Sequence, residues 1–212
     1  MIAPDFRTFG PNEMGPLVQK FVTENHGTDL WTSLSASIQE VDSIKKELCS
    51  AQSYKVDTEQ LKKFQDLFLK NYQNSMILNK YFSFGDRSGQ IPFKFTCYDS
   101  FSKKRVDSHS PVFDALSSKY NFGVCLARIG CYMKLDGDGI KYACKYFQQA
   151  AWVFNDLIQN VSQLKPGETS PDFTKESLEM LANLMLAQAQ YLFYKLATEK
   201  KQSPDILSKT SQ

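Results

Sequence analysis

Residues 110–134, SPVFDALSSKYNFGVCLARIGCYMK, constrain this chain more than any other stretch. The segment opens like a helix, with Ser110 at the cap and Pro111 in the first turn, where a missing N–H costs little. Apolar residues then fall on more than one face. Gly123 and Gly130 recur seven residues apart, with Ala127 between them. Glycine lowers helix propensity, so a small-residue seam inside a helix marks a place where another helix approaches closely. The stretches around Trp152 and Leu186 are also apolar on more than one face. Such helices are sandwiched between neighbours, as in a layered bundle or a helical solenoid.

Helical periodicity dominates elsewhere. GPLVQKFVTENHG reads as a short helix with Pro16 in its first turn and Gly27 at its exit. Over 28–49, Thr28 or Asp29 caps a helix whose Trp31, Leu34, Ile38, Val41, Ile44 and Leu48 share one face. Lys45, Lys46 and Glu47 are expected largely outside. From Thr58 to about Phe82, a broad stripe runs through Leu61, Phe64, Leu67, Phe68, Tyr72, Met76 and Leu78. The period then changes. Ile91, Phe93, Phe95 and Cys97 alternate with Pro92, Lys94, Thr96 and Tyr98, which predicts a half-buried strand. Its available partner is DFRTF, residues 5–9, and 99–110 reads as a polar connection. LDGDG, 135–139, is a turn into another helix, 162–173 a loop, and Thr174–Glu199 the last long helix before Pro204 starts a further one. The total is roughly six helices and one strand.

That last helix contains LANLMLAQAQYLFYKLATEK. Leu181, Leu184, Met185 and Leu192 are expected to pack between neighbours, and Ala182, Ala187 and Ala189 to let backbones come close. Gln188 and Gln190 are expected to hydrogen-bond across helices or to a loop, because buried amides need partners. By periodicity alone, Phe193 is one more core aromatic.

The chain has 25 basic and 23 acidic residues, a net charge of +2 that does not point to nucleic acid. Its five cysteines are scattered, with none in a C-x-x-C pair, and read as buried thiols of a reducing compartment. The start MIAPDFRTFG lacks the pattern of a signal peptide, and no apolar run is long enough to cross a bilayer, so a cytoplasmic protein is expected. Chemistry is sparse. His26 and His109 have no ligand-spaced Cys or carboxylate beside them. DGDG at 136–139 lacks the later ligands of a calcium loop. FGDRSG is followed by no Lys-Ser or Lys-Thr, and G-x-S-x-G is absent. Cys125 meets Arg128 too soon, and within a helix, to form a phosphatase loop. No enzyme, metal, cofactor or small-molecule substrate is expected.

FKFTCYDSF, ALSSKYNFGVCLARIG, GIKYACKYFQQAAWVF and LMLAQAQYLFYKLAT, in this order and at these spacings, resemble the BRO-one domain. GPLVQKFV is similar to the family's first helix, so the likeness covers nearly all of 1–212. It extends over the first half of the family domain or slightly more, which implies one BRO-one-like domain truncated on its C-terminal side. The resemblance implies a mainly α fold, a curved helical-hairpin solenoid with a TPR-like core and a small antiparallel β-element near the N-terminal part. It also implies a non-enzymatic scaffold that is recruited from the cytoplasm to endosomes. There the family docks the C-terminal amphipathic helix of an ESCRT-III subunit, and any contact with the endosomal membrane is indirect. Carried onto this sequence, the patch Phe falls on Phe193 and a patch aliphatic on Ile206. The next aliphatic falls on Thr210, a polar departure, with Leu207 in its place if the register shifts. The basic position after the Phe falls on Leu196, with Lys195 one step early. Lys141 matches the Lys of the preceding helix, whose acidic neighbour falls on Gly137 between Asp136 and Asp138. The alternatives are a Rho-effector-type signalling adaptor and a short form that has lost the patch.

Overall fold

The computed structural model describes residues 1–11, 13–50 and 57–199. Among them, six α-helices follow one another: α1 (Gly15–His26), α2 (Thr28–Ser50), α3 (Thr58–Tyr81), α4 (Pro111–Tyr132), α5 (Gly137–Asn160) and α6 (Lys175–Glu199). Each packs on the next in the chain, with the broadest contacts at α3–α4, α4–α5 and α5–α6. The result is the mainly α, helical-hairpin architecture expected from the sequence.

The helix starts have local causes. Asp57 forms a capping box with Gln60: its carboxylate accepts the Gln60 N–H at 2.8 Å while the Gln60 side chain accepts the Asp57 N–H at 3.4 Å. Asp42, on α2, reaches across to the start of α1 and accepts the Met14 and Gly15 N–H groups at 2.9 and 2.7 Å. The small-residue seam of α4 does what its spacing implies. A Cβ on Gly123 would lie 3.1 Å from Val153, and one on Gly130 would lie 3.2 Å from Phe147, so α5 rests directly on the glycine backbone. Helix α4 is buried almost all round. The expectation of the same for α5 and α6 is corrected: Trp152 is 65% exposed and Leu186 44%, so each has an open outer face. Ala187 also lies on that face, whereas Ala182 and Ala189 are buried as expected.

A strand ahead of α1, β1 (Thr8–Phe9), joins two strands between α3 and α4, β2 (Phe95–Tyr98) and β3 (Arg105–Ser108), in a three-stranded antiparallel sheet of order β1-β2-β3. DFRTF does supply β2's partner, with Thr8 opposite Tyr98 and Phe9 opposite Cys97. Two expectations fall here. The strand begins at Phe95 rather than Ile91, because Ile91 instead bridges to Phe84. The stretch 99–110 is also more than a connection, since 105–108 pairs with 95–98. Strand β3 is mostly solvent-facing. It therefore lacks the apolar alternation that betrays a strand.

Two buried polar clusters tie these layers together. In the first, Asp114 of α4 accepts from Lys45 Nζ at 2.6 Å, Asn71 Nδ2 at 2.9 Å and Ser75 Oγ at 2.6 Å. Lys45 is thus buried across α2, α3 and α4, not outside as its position in the sequence suggests; the Phe95 ring lies 4.9 Å from its ammonium. The second centres on Arg7, whose guanidinium pairs with Asp172, donates to Ser170 Oγ at 2.9 Å and lies 3.9 Å from the Phe173 ring centroid. Asp172 accepts the Ser100 N–H at 2.8 Å and donates its own N–H to Asp99 at 3.0 Å. The 162–173 segment, expected as a plain loop, is therefore ordered by two short 3-10 turns and buries Glu168, Ser170 and Asp172.

The N-terminal arm is stitched down over its whole length. Ile2 exchanges two hydrogen bonds with the Gln188 amide, at 2.5 and 2.8 Å, and Arg7 two with Asn121, both at 2.8 Å. Arg128 covers the Phe6 ring at 4.5 Å and pairs with Asp5. Gln188 thereby finds the loop partner its burial demands, while Gln190 is exposed.

Candidate partner-binding site at the end of α6

The residues singled out by sequence sit on two consecutive helices, α5 and α6. Lys195 of α6 donates to the Leu135 carbonyl at 3.1 Å, in the turn just before α5. That bond brings the end of α6 to the beginning of α5, where Asp138 and Lys141 occupy the first turn and pair at 2.6 Å. Asp136 stands at the N-cap position of α5 without a side-chain bond to the helix, and Gly137 takes a φ of +36° that a side chain would strain. LDGDG is thus the helix-joining turn its sequence predicts.

Phe193 is 42% exposed. It shares a helical face with Leu186, seven residues earlier, which is also exposed. Leu181, Met185 and Leu192, about a quarter-turn round the helix, go into the core. Periodicity therefore misplaced Phe193 as a core aromatic, and the open face of α6 gives it back to the surface. Leu196 is half-buried against the core, which leaves Lys195 as the cation at this end of the helix. Ile206, Leu207 and Thr210 lie outside the described residues. Tyr142 (59% exposed) and Tyr194 (42%) sit beside the selected residues and were not singled out, because a tyrosine in an amphipathic pattern gives no sign of which way it faces.

The charges at this end are mixed, with Lys141 and Lys195 beside Asp136 and Asp138. Hydrogen bonding and charge attraction from Asp138 raise the Lys141 pKa, so the ammonium is fully charged at neutral pH. Both side chains of that pair are largely in water, where an ion pair is weak and readily exchanged. Nothing nearby suits bond-making chemistry. The buried Cys125 thiol is pushed well above its ordinary pKa by desolvation, and Cys144 is raised for the same reason. No group of three or more potential metal ligands occurs among the described residues. The two histidines are structural or exposed. His109 bridges the Phe93 carbonyl at 2.7 Å and Asp86 at 3.0 Å, and His26 lies exposed at the end of α1.

The model of the BRO1-like domain matches residues 2–212. The chain belongs to the BRO1-like domain family. It is a family of non-enzymatic scaffold domains. Among its relatives, ALG-2 interacting protein X of Dictyostelium discoideum is 34% identical over 146 residues, covering 68% of this chain and 18% of that protein. Rhophilin-1 of Mus musculus is 29% identical over 191 residues, covering 89% of this chain and 28% of the relative. Vacuolar protein-sorting protein BRO1 of Kluyveromyces lactis is 30% identical over 135 residues, covering 61% of this chain and 16% of the relative. The chain thus spans less than a third of the length of these proteins. The solved ALIX BRO1 CHMP4C complex superposes with a TM-score of 0.84 at 21% identity, over 99% of this chain and 60% of that one. Among the described residues no helix is long and apolar enough to cross a membrane.

Proposed function

We propose that this BRO1-like chain is a protein-binding scaffold that docks the C-terminal amphipathic helix of an ESCRT-III subunit at the end of α6 and is thereby recruited to endosomes for sorting. The observation that carries this reading is the exposure of Phe193 at the place where Lys195 draws α6 against the first turn of α5. An aromatic with free surface, flanked by cations, suits a helix with an apolar stripe and acidic neighbours. Lys141 can exchange Asp138 for a carboxylate of the partner, because their exposed pair is weak. Tyr142 and Tyr194 extend the apolar surface, and Ile206 and Leu207 are the aliphatic candidates that follow in sequence. The likeness to the ALIX BRO1 CHMP4C complex supports the choice of partner class.

The test is a fluorescence titration of a labelled ESCRT-III C-terminal peptide against the wild-type chain and Phe193→Asp. Phe193 is already partly in water, so the variant keeps its fold, and the loss of an anchoring aromatic should weaken binding about thirtyfold. Equal affinities would remove Phe193 from the site. The long match to Rhophilin-1 favours a second reading, a Rho-effector-type adaptor. Capture of a GTP-loaded Rho-family GTPase, undiminished by Phe193→Asp, would support that one instead.

A further inference from the structure

At the far end of α3 from its capping box, two cavities of about 650 Å³ each share a wall. The first lies between α1, α2 and α3. It is floored by Phe21, Leu30, Leu34, Ile38 and Ile77, with polar side chains from His26, Ser37, Glu40, Asn74 and Tyr81. The second lies between the end of α3 and the start of α4. Its lining includes Lys80, Lys165 and His109 and contains no Asp or Glu. Asp86 hydrogen-bonds His109 from outside that lining. Tyr81 and Phe82 belong to both cavities, so one begins where the other stops. Tyr81 is 67% exposed, and the Lys80 ammonium lies 5.1 Å from its ring centroid.

The cationic cavity also holds the first residues of α4, Ser110, Pro111 and Val112. No side chain caps this helix. Its N-terminal backbone dipoles therefore add to the field of two lysines in a concave space. Apolar and cationic parts follow one another end to end. An acidic amphipathic helix needs the reverse layout, an apolar floor with charged rims along its whole length, and Glu40 in the apolar part would oppose it. A molecule with an apolar tail and a compact anionic head matches the layout in both shape and charge. Each cavity is open to solvent and has the volume of a small-ligand site, roughly 300–1,000 Å³, which suits one bound molecule.

We propose that the two cavities form one site for a single-chain phosphate amphiphile, a lysophospholipid bound as a monomer, with its chain between α1, α2 and α3 and its phosphate at the start of α4. The site is independent of Phe193 and of the proposed helix-docking function.

Calorimetric titration of the whole chain with lysophosphatidic acid below its micelle concentration tests the proposal, with monoacylglycerol and inorganic phosphate as the tail and head alone. Lysophosphatidic acid should bind more tightly than either. Lys80→Glu/Lys165→Glu should weaken it at least about tenfold and leave monoacylglycerol unchanged. Ile77→Asp, at a residue 55% exposed, should weaken both lipids while the thermal melt stays in place. Lysophosphatidic acid binding no more tightly than phosphate or monoacylglycerol would overturn the proposal. So would binding insensitive to either variant, binding to phosphatidylcholine–phosphatidic acid vesicles without binding to the monomer, or an acidic amphipathic peptide as the one ligand the variants affect.

Discussion

Arg7 and Asp172 form a fully buried ion pair, although 165 residues separate them in sequence. Around this pair the chain's first strand, the β2–β3 hairpin, α4 and the segment before α6 are joined by hydrogen bonds. Removing one partner of a buried pair leaves the other charged and unsolvated, at a cost of about 3–5 kcal/mol. Arg7→Met should therefore destabilise the chain by about that amount in urea unfolding. Arg7→Met combined with Asp172→Leu should cost less than the sum of the two single changes. An additive pair of effects would show that the residues do not act together.

Asp114 is the corresponding hub on the other side of α4, receiving Lys45, Asn71 and Ser75. Asp114→Ala strands the Lys45 ammonium and should cost about 3–5 kcal/mol. Ser75→Ala removes one neutral donor and should cost only about 1 kcal/mol. Chemical denaturation of both variants checks the ranking.

Asp99 supplies a pH dependence. Burial works against its charge, but hydrogen bonds from Asp172 and Ser102 outweigh that and hold its pKa well below the usual carboxylate range. A carboxyl depressed in the folded state contributes stability above its unfolded pKa, about 3.9. That contribution is lost as pH falls below this value. The melting temperature of the wild type should therefore drop more steeply below about pH 4 than that of Asp99→Asn. Parallel curves would show that Asp99 has no such share.

The contact between α4 and α5 leaves no room at Gly130, where a Cβ would lie 3.2 Å from the Phe147 ring. Gly130→Leu should push the helices apart and cost about 1–3 kcal/mol. A melt unchanged by this substitution would contradict the close approach.

Met180, Ala187, Tyr191 and Tyr194 are exposed along one side of α6, facing away from Met185 and Leu192. Apolar surface of this extent drives association. The isolated chain should show concentration-dependent self-association in sedimentation velocity, relieved by Tyr191→Lys. A monomer at every concentration would count against it.

The helices were legible because a period of three to four residues and the Gly123–Gly130 seam are local properties of sequence. The direction each helix faces was legible for α2 and most of α3, where Ile38, Val41, Ile44, Leu48, Leu61, Leu67, Phe68 and Leu78 are buried, but not for the outer faces of α5 and α6. Trp152 and Phe193 look like core residues in a periodic pattern, and only the absence of a layer over them in the described structure shows otherwise. Lys45 went the other way, since its counter-charge sits 69 residues further on, in a different helix. Strand β3 was invisible because its contribution is backbone pairing, and the Arg7 cluster because each member comes from a separate element. At the candidate site, residue types and the joining turn were readable, but the Lys195–Leu135 bond that unites them depends on how α5 and α6 dock.

The N-terminal arm has a consequence for how the protein is made. Its residues are made long before α6, yet Ile2 is held by Gln188, and Arg7 by Ser170 and Asp172, all more than 160 residues further along the chain. Domains form their local contacts during translation, while contacts of long sequence separation wait for both ends of the chain. The helical pairs can therefore assemble in order of synthesis, while the opening segment stays unsatisfied until α6 has emerged. Closure of the arm then waits for α6, and until it occurs the nascent chain presents an unclosed seam to chaperones.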